Sequence, residues 1–255
     1  MNDILLSAQD ITITFGGLSA LKNVFMDIHA GDIHALVGPN GAGKTTFFNC
    51  INGFYQVQAG RLIFNGREIQ TLPSHKVAVL GIARTFQNLE LFPHLSALEN
   101  VMIGRSAYMQ AGLFAQCLYY GKAKRAEDDA EKKALEALGF LGIRSTKNKP
   151  VSQLPFVTRK LVELARALAL EPKLLLLDEP ASGMNEQESM EMARIIRDIK
   201  RELEVTILLV EHDMDLVMDT ADKVTVLDYG TIIAEGPPTE IKKNPKVVEA
   251  FLGGS

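Results

Sequence analysis

The hydrophobic pattern predicts one short buried strand near the start of the chain and three more, which alternate with helices, in its last third. Continuous apolar runs are expected of parallel strands covered on both faces, and they stand at 35–38, 174–177, 205–210 and 223–228. Polar-faced helices are predicted between the later runs, over 186–203 and 213–221. The tail predicts two short helices, broken at Pro245.

Two other patterns occupy the chain before the last three of these runs. From Ile4 to Ile33, short apolar runs alternate with Gly or Asp turns, which predicts hairpin strands. Residues 59–72 predict another hairpin, around Asn65-Gly66. From about 88 to 170 the pattern is mainly helical, and residues 122–138 carry charges of both signs at the spacing of a solvated helix.

Composition narrows the possible classes of function. With 255 residues, 47% hydrophobic and 23% charged, the chain is expected to be globular. Its net charge of −4, with both signs interspersed, argues against a nucleic-acid partner. The two cysteines, Cys50 and Cys117, show no metal-binding spacing, so we expect reduced thiols.

The sequence predicts neither a signal peptide nor a membrane span. The first ten residues lack a basic region followed by an apolar stretch. No apolar run approaches the roughly 18 residues needed to cross a bilayer. If the protein works at a membrane, we expect another polypeptide to hold it there.

A glycine-rich segment between a predicted strand and a predicted helix fits the phosphate-loop pattern GxxxxGK[ST] in full. Glycines allow the backbone to wrap round phosphate oxygens, and successive N–H groups with a helix N-terminus favour an anion. Lys44 is expected to neutralise the β- and γ-phosphates, Thr45 to ligate Mg²⁺ and Thr46 to bond an α-phosphate oxygen. The predicted nucleotide-binding residues of this loop are Gly38, Pro39, Asn40, Gly41, Ala42, Gly43, Lys44, Thr45 and Thr46.

A pair of acids ends the apolar run at 174–177. Asp178 can reach a Mg²⁺ shell at the strand end, and Glu179 can polarise a water for attack on a γ-phosphate. Asp-Glu at a strand end is a weak signal alone, but a phosphate loop upstream strengthens it. The loop by itself leaves ATPase, GTPase and kinase open.

The chain resembles the ABC ATPase family over essentially its whole length. More narrowly, it resembles the longer ATP-binding subunit of branched-chain (hydrophobic) amino-acid uptake systems. The segments that carry this likeness are 14–24, 38–55, 83–92, 177–185, 209–218 and the ending EAFLGG. The resemblance implies an α/β fold: a P-loop NTPase (RecA-like) core with an N-terminal antiparallel β subdomain and an inserted α-helical subdomain. It implies one ABC ATPase domain over 1–255, with the core at about 1–87 and 171–255 and the helical subdomain at about 88–170.

The resemblance also implies roles for single residues. Phe15 matches the aromatic that stacks on adenine, although a core position is an alternative for it. Gln87 matches the glutamine that contacts Mg²⁺ or the attacking water, and Glu179 the catalytic carboxylate. His212 matches the histidine that holds the γ-phosphate and orients the water. Asn185 lies in the loop that faces a partner ATPase.

One expected motif departs from the family pattern. In a dimer, the LSGGQ-type signature of one chain touches the ATP of the other. Here the signature falls on 154–158, where Pro155 lacks a hydroxyl and an N–H, and Val157 replaces a glycine. Thr158 is a possible substitute hydroxyl. We therefore expect a competent half-site of the chain's own and a weakened contribution to its partner's.

The functional expectation is an ATP- and Mg²⁺-dependent ATPase that energises a membrane importer for branched-chain or other hydrophobic amino acids. The alternatives are urea or amide uptake, lipopolysaccharide export, or a low-turnover regulatory module. The expected partners are a second ATPase subunit (identical or distinct), transmembrane permeases and, indirectly, a solute-binding protein. The expected location is peripheral, on the cytoplasmic face of the inner (cell) membrane.

Overall fold

The structure is a computed structural model that describes residues 3–85, 90–105 and 122–252. It divides into two compact units, Met1–Val77 with Lys173–Ser255, and Ala78–Pro172. The strands are β1 (Ile4–Phe15), β2 (Leu18–His29), β3 (Ile33–Val37), β4 (Ala59–Phe64), β5 (Arg67–Glu68), β6 (Ile82–Arg84), β7 (Leu174–Asp178), β8 (Thr206–Val210), β9 (Lys223–Asp228) and β10 (Thr231–Gly236).

The helices are numbered in chain order as well. They are α1 (Lys44–Ile51), α2 (Ser74–Val79), α3 (Ala97–Gly104), α4 (Lys122–Phe140), α5 (Phe156–Leu168), α6 (Glu186–Leu203), α7 (Met214–Thr220), α8 (Pro238–Ile241) and α9 (Pro245–Leu252). No helix among the described residues is long and apolar enough to cross a membrane.

The first unit opens with an antiparallel sheet in the order β2-β1-β4-β5. The turn at Gly16-Gly17 joins its two longest strands, and both glycines have positive φ. The turn at Asn65-Gly66 also has positive φ at both positions, as a tight hairpin requires. The predicted hairpins are confirmed.

Five strands of a second sheet lie in the same unit, in the order β10-β9-β3-β8-β7. The pairs β3–β8, β3–β9 and β7–β8 are parallel. Every residue of β3, β7 and β8 is buried. The prediction of strands covered on both faces, made from the continuous apolar runs, is therefore confirmed for these three. Because the strands are parallel, the chain leaves β3, β7 and β8 at one edge of the sheet. The expected α/β fold class is confirmed.

Helix α6 of this unit begins and ends at the residues that the sequence predicts. Asn185 caps it: its side chain accepts a hydrogen bond from Glu188 N at 3.0 Å, and Glu188 Oε2 accepts one from Asn185 N at 2.9 Å. This capping box satisfies two orphan donors of the first turn. The buried side of the helix carries Met192, Ala193, Ile196 and Ile199.

The second unit contains β6, α3, α4 and α5. Ser96 and Glu99 form a capping box at the start of α3. Arg105 holds the unit together from the end of α3, because its guanidinium donates to Ala169 O at 2.7 Å and pairs with Asp129 at 2.7 Å. Mixed charges cover α4, as its spacing predicts for a solvated helix.

Candidate functional site

The phosphate loop connects β3 to α1 by a tight path that needs glycine at two positions. A Cβ on Gly38 would lie 2.0 Å from Leu227 O, and one on Gly43 would lie 2.5 Å from Ala20 O. Gly43 also has φ 107°, a conformation that L side chains rarely adopt. Gly41 has φ 80°, but a Cβ there would meet nothing within 4 Å. The loop is therefore packed on one side and open at Gly41.

Backbone hydrogen bonds fix this loop in its curved form. Ala42 N donates to Pro39 O at 3.2 Å, and Ala42 O accepts from Gly230 N at 2.9 Å. The β9–β10 turn thereby supports the loop from behind. The first amides of α1 follow directly, so N–H groups and the positive end of the helix dipole lie together.

Lys44 places a cation on the loop itself. Its side chain is buried, and Nζ donates to Gly38 O at 2.7 Å and to Pro39 O at 2.9 Å. Burial lowers the pKa of Lys44, whereas the negative charges of Glu179 and Asp178 raise it. A desolvated ammonium beside a cradle of amides is suited to bind a phosphate. Thr45 is exposed and Thr46 half-buried, one and two residues further on.

The acidic pair lies at the end of β7. Asp178 is the last strand residue and is 2% exposed. Glu179 leaves the strand with φ 49°, in the left-handed region that a non-glycine residue enters at a cost of about 1–2 kcal/mol. Such strain persists where the surroundings impose it, and it is often found at functional sites. Here Glu179 N donates to Val210 O at 2.9 Å.

The same strand register brings His212 to Glu179. Asp178 pairs with Val210 across β7 and β8, so the residues that follow each strand meet. His212 Nε2 lies 2.7 Å from Glu179 Oε1. The His212 side chain is 40% exposed and that of Glu179 15%, so a solvent molecule or ligand can reach the pair. Two of the predicted catalytic residues are therefore in hydrogen-bond contact.

A third acid at this position was not among the predicted site residues. Glu211 is 4% exposed and accepts hydrogen bonds from Ala181 N at 2.9 Å and His212 N at 3.0 Å. Burial raises the pKa of Glu211, and the backbone N–H groups of Ala181, His212 and Asp213 lower it. The available signal was an acid directly before His212, where an apolar strand ends.

Phe15 lies at the end of β1 and is 45% exposed, so its ring is not a core side chain. The Tyr55 ring meets it edge-on, with centroids 5.1 Å apart and an interplanar angle of 64°. This is a favourable aromatic geometry. Tyr55 is a second residue that the sequence reasoning missed, because 40 positions separate it from Phe15 and no local pattern links them.

A cavity of about 590 Å³ borders the phosphate loop on another side. It is lined by loop residues together with the β9–β10 turn and α9, including Asn40, Gly41, Tyr229, Lys246 and Glu249. Among the described residues that line it, Lys44, Asp178, Glu179 and His212 do not occur. The cavity is thus separate from the group of side chains that can act on a phosphate.

Two further predictions concern Gln87 and the signature segment at 154–158. Gln87, predicted to contact the metal or the water, lies outside the described residues. The signature segment belongs to the second unit, where Pro155 precedes the first residue of α5 and no side chain caps that helix. Phe156 begins the helix, with the Arg159 and Lys160 cations 5.9 and 6.0 Å from its ring centroid.

Comparisons with known proteins agree on the type of chain. The family model described as ABC transporter matches residues 21–182. A second model, described as branched-chain amino acid ATP-binding cassette transporter, matches residues 231–255.

Individual relatives match along almost the whole chain. The high-affinity branched-chain amino acid transport ATP-binding proteins LivG of Escherichia coli (strain K12) and BraF of Pseudomonas aeruginosa are each 37% identical over 99% of both chains. Among solved structures, the ADP conformation of an ATP-binding cassette of an ABC transporter is similar with a TM-score of 0.86. It is 29% identical and covers 98% of this chain and 99% of its own.

Proposed function

This chain is an ATPase of the ABC transporter family, and we propose that it binds and hydrolyses ATP to drive the import of branched-chain or other hydrophobic amino acids. The observation that carries the catalytic part is the 2.7 Å contact between His212 and Glu179, next to the phosphate loop that holds Lys44. The observation that carries the substrate class is the match of the C-terminal segment to the branched-chain amino acid model.

The loop residues would bind the triphosphate. Backbone N–H groups of residues 40, 41 and 43–46 would point to the phosphates, and Lys44 would exchange its carbonyl partners for β- and γ-phosphate oxygens. Because Lys44 is already buried, little side-chain entropy remains to be lost on binding. Phe15, with its ring half-exposed and held edge-on by Tyr55, offers a face for the adenine.

The donor set at the end of β7 fits a Mg²⁺ ion. Mg²⁺ prefers hard oxygen ligands and usually binds through one or two carboxylates or hydroxyls, phosphates and waters. The Asp178 carboxylate and the Thr45 hydroxyl are oxygen donors of this kind, and the negative charge of Asp178 acts on Lys44. Gln87 is proposed as a further ligand. When bound, the ion neutralises charge that develops on the phosphate oxygens.

Glu179 and His212 would act on the attacking water. Glu179 would accept a hydrogen bond from the water and align it with the γ-phosphorus. His212 Nε2 would exchange its contact with Glu179 for a γ-phosphate oxygen, to which it would donate. The partly buried Glu179 faces only a limited amount of solvent, so its charge is weakly screened. The left-handed backbone of Glu179 fixes the direction of its side chain before substrate arrives.

The partners follow from the same proposal. A second ATPase subunit would complete each nucleotide site, transmembrane permeases would carry the solute, and a solute-binding protein would deliver it. The chain would then lie peripherally on the cytoplasmic face of the cell membrane.

Transport is tested with the complex that copurifies with the tagged chain from its host. Reconstituted vesicles in which this chain faces the lumen, and which enclose ATP, should take up labelled leucine, isoleucine or valine. Vesicles with the Glu179→Gln complex should not. Uptake of urea in place of these amino acids, or outward movement of lipopolysaccharide, would contradict the proposed substrate class. ATP hydrolysis that persists in Glu179→Gln would contradict the proposed catalytic role.

A further inference from the structure

The Glu211 carboxylate joins two loops through different oxygens. Oε1 accepts a hydrogen bond from Ala181 N at 2.9 Å, in the loop after β7. Oε2 accepts from His212 N at 3.0 Å and Asp213 N at 3.5 Å, in the loop after β8. With 4% of the residue exposed, these amide donors replace the water that a carboxylate would otherwise bind.

Each of these loops carries one member of the proposed catalytic pair. Glu179 precedes Ala181 by two residues, and its carbonyl accepts from Ser182 N at 3.1 Å, which makes 179–182 a tight turn. His212 follows Glu211 directly. Glu211 therefore connects the two loops that carry Glu179 and His212, whose side chains lie 2.7 Å apart.

We propose that Glu211 is a positioning residue, which fixes the turn of Glu179 and the loop of His212 relative to each other. This inference rests on the proposed roles of Glu179 and His212. It adds a residue that would act by holding the loops of Glu179 and His212, through the backbone N–H groups that its carboxylate accepts. A catalytic pair must be held to within a fraction of an ångström for full activity.

The bridge requires a carboxylate. Three N–H donors converge on two oxygens, and an ionised acid is a side chain that offers acceptors only. A glutamine has nearly the same shape, but its NH₂ group would face Ala181 N–H or His212 N–H, donor against donor. One loop would lose its buried acceptor, whichever way the amide is turned.

The test is the Glu211→Gln variant of the full chain, with its kcat for ATP hydrolysis and its Kd for ATP measured separately. We expect kcat to fall about tenfold or more, by analogy with the residues that hold metal ligands, whose mutation typically costs about 10–100-fold in affinity or activity. The Kd for ATP should change less than twofold, because the phosphate loop is untouched. Deuterium uptake should rise in peptides that cover 179–183 and 211–214.

Thr206→Val is the matched control for a loss of stability alone. Thr206 is also buried and accepts from Gly31 N at 2.9 Å, but it lies at the opposite end of β8 from Glu211. It should lower the unfolding temperature and leave kcat unchanged.

Two outcomes would overturn the inference: a kcat of Glu211→Gln within twofold of the parent, or an equal loss of kcat in Thr206→Val. Glu179→Gln, measured in parallel, distinguishes a failure of the proposed catalytic role from a failure of the positioning role. If Glu179→Gln stays active, the proposed catalytic role fails; if it is inactive while Glu211→Gln is fully active, only the positioning role fails.

Discussion

Nε2 of His212 lies 2.7 Å from Oε1 of Glu179, although 33 positions separate the two residues in the chain. The contact is a consequence of sheet register, since Asp178 and Val210 are paired at the ends of parallel strands. Each residue of the pair leaves its strand within two positions of that point. A change at either one is thus expected to act on a shared site.

Replacement of His212 by alanine should reduce kcat for ATP hydrolysis about 100-fold or more, the usual range for a group that aligns or transfers a proton. Binding of ATP should weaken only a few-fold, because the loop amides and Lys44 supply most of the phosphate contacts. The measurement is steady-state ATPase activity with a separate ATP titration. His75→Ala is the control, as His75 is exposed on α2; equal activity of the two variants would contradict the role given to His212.

The phosphate-loop glycines should differ in their tolerance of alanine. Gly43→Ala should lower the free energy of unfolding about 1–3 kcal/mol more than Gly41→Ala, because its Cβ would overlap Ala20 O while that of Gly41 meets open space. Both residues have positive φ, 80° at Gly41 and 107° at Gly43, so a side chain is strained at both positions and the overlap with Ala20 O adds to the cost at Gly43 alone. Urea unfolding measures the difference, and equal stabilities would show that the loop yields at Gly43.

The elements that the sequence predicted well are those set by local pattern. Helix α6 combines an amphipathic period with a capping box at Asn185, and both signals lie within the segment. The buried strands β7 and β8 are runs of apolar residues that no other element type fits at that length. Strand β10 was not predicted, because its apolar run is only three residues long and none of its residues is fully buried.

The parts of the site that could not be predicted depend on contacts between distant segments. A sequence shows that acids follow two strands, but not that β7 and β8 are neighbours. The bridge from Glu211 to Ala181 depends on that packing, and the edge-on contact of Tyr55 with Phe15 depends on the packing of other distant segments. Motif reasoning proposed residues that would touch the nucleotide, and it missed Glu211 and Tyr55, which depend on contacts between distant segments.

Acid should destabilise the first unit through His34. Burial lowers the pKa of this histidine from 6.5 to about 4, assisted by the charge of Lys223 and opposed by that of Glu235, while Nε2 is 2.7 Å from Thr225 Oγ1. The unfolded chain takes up the proton near pH 6.5, so folded-state stability is lost as the pH falls from 6.5 towards 4. The loss attributable to this residue is about 3 kcal/mol.

The check is the pH dependence of urea unfolding in the parent and in His34→Gln, which keeps a polar group near Thr225 but does not titrate. Between pH 7 and pH 4 the variant should lose less stability than the parent. The exposed His75→Gln is the control, and it should follow the parent curve. If the free energy of unfolding falls equally with pH in the parent and in His34→Gln, another group controls the loss of stability in acid.

The signature segment should limit hydrolysis whenever two copies of this chain form the nucleotide sites. Val157 occupies the first turn of α5, where the helix amides would meet the partner's γ-phosphate, and its branched side chain is bulky at that point. Val157→Gly should therefore raise the ATPase rate of the purified chain severalfold, despite a helix-propensity cost of about 1 kcal/mol. Val157→Ile keeps the branched side chain and should give no increase.

A dimer with a distinct ATPase subunit is the second arm of the test. When the parent chain is mixed with a subunit that carries its own signature, it should hydrolyse ATP at its own half-site without the substitution. An unchanged rate in Val157→Gly, with its fold intact by thermal unfolding, would show that position 157 does not limit turnover.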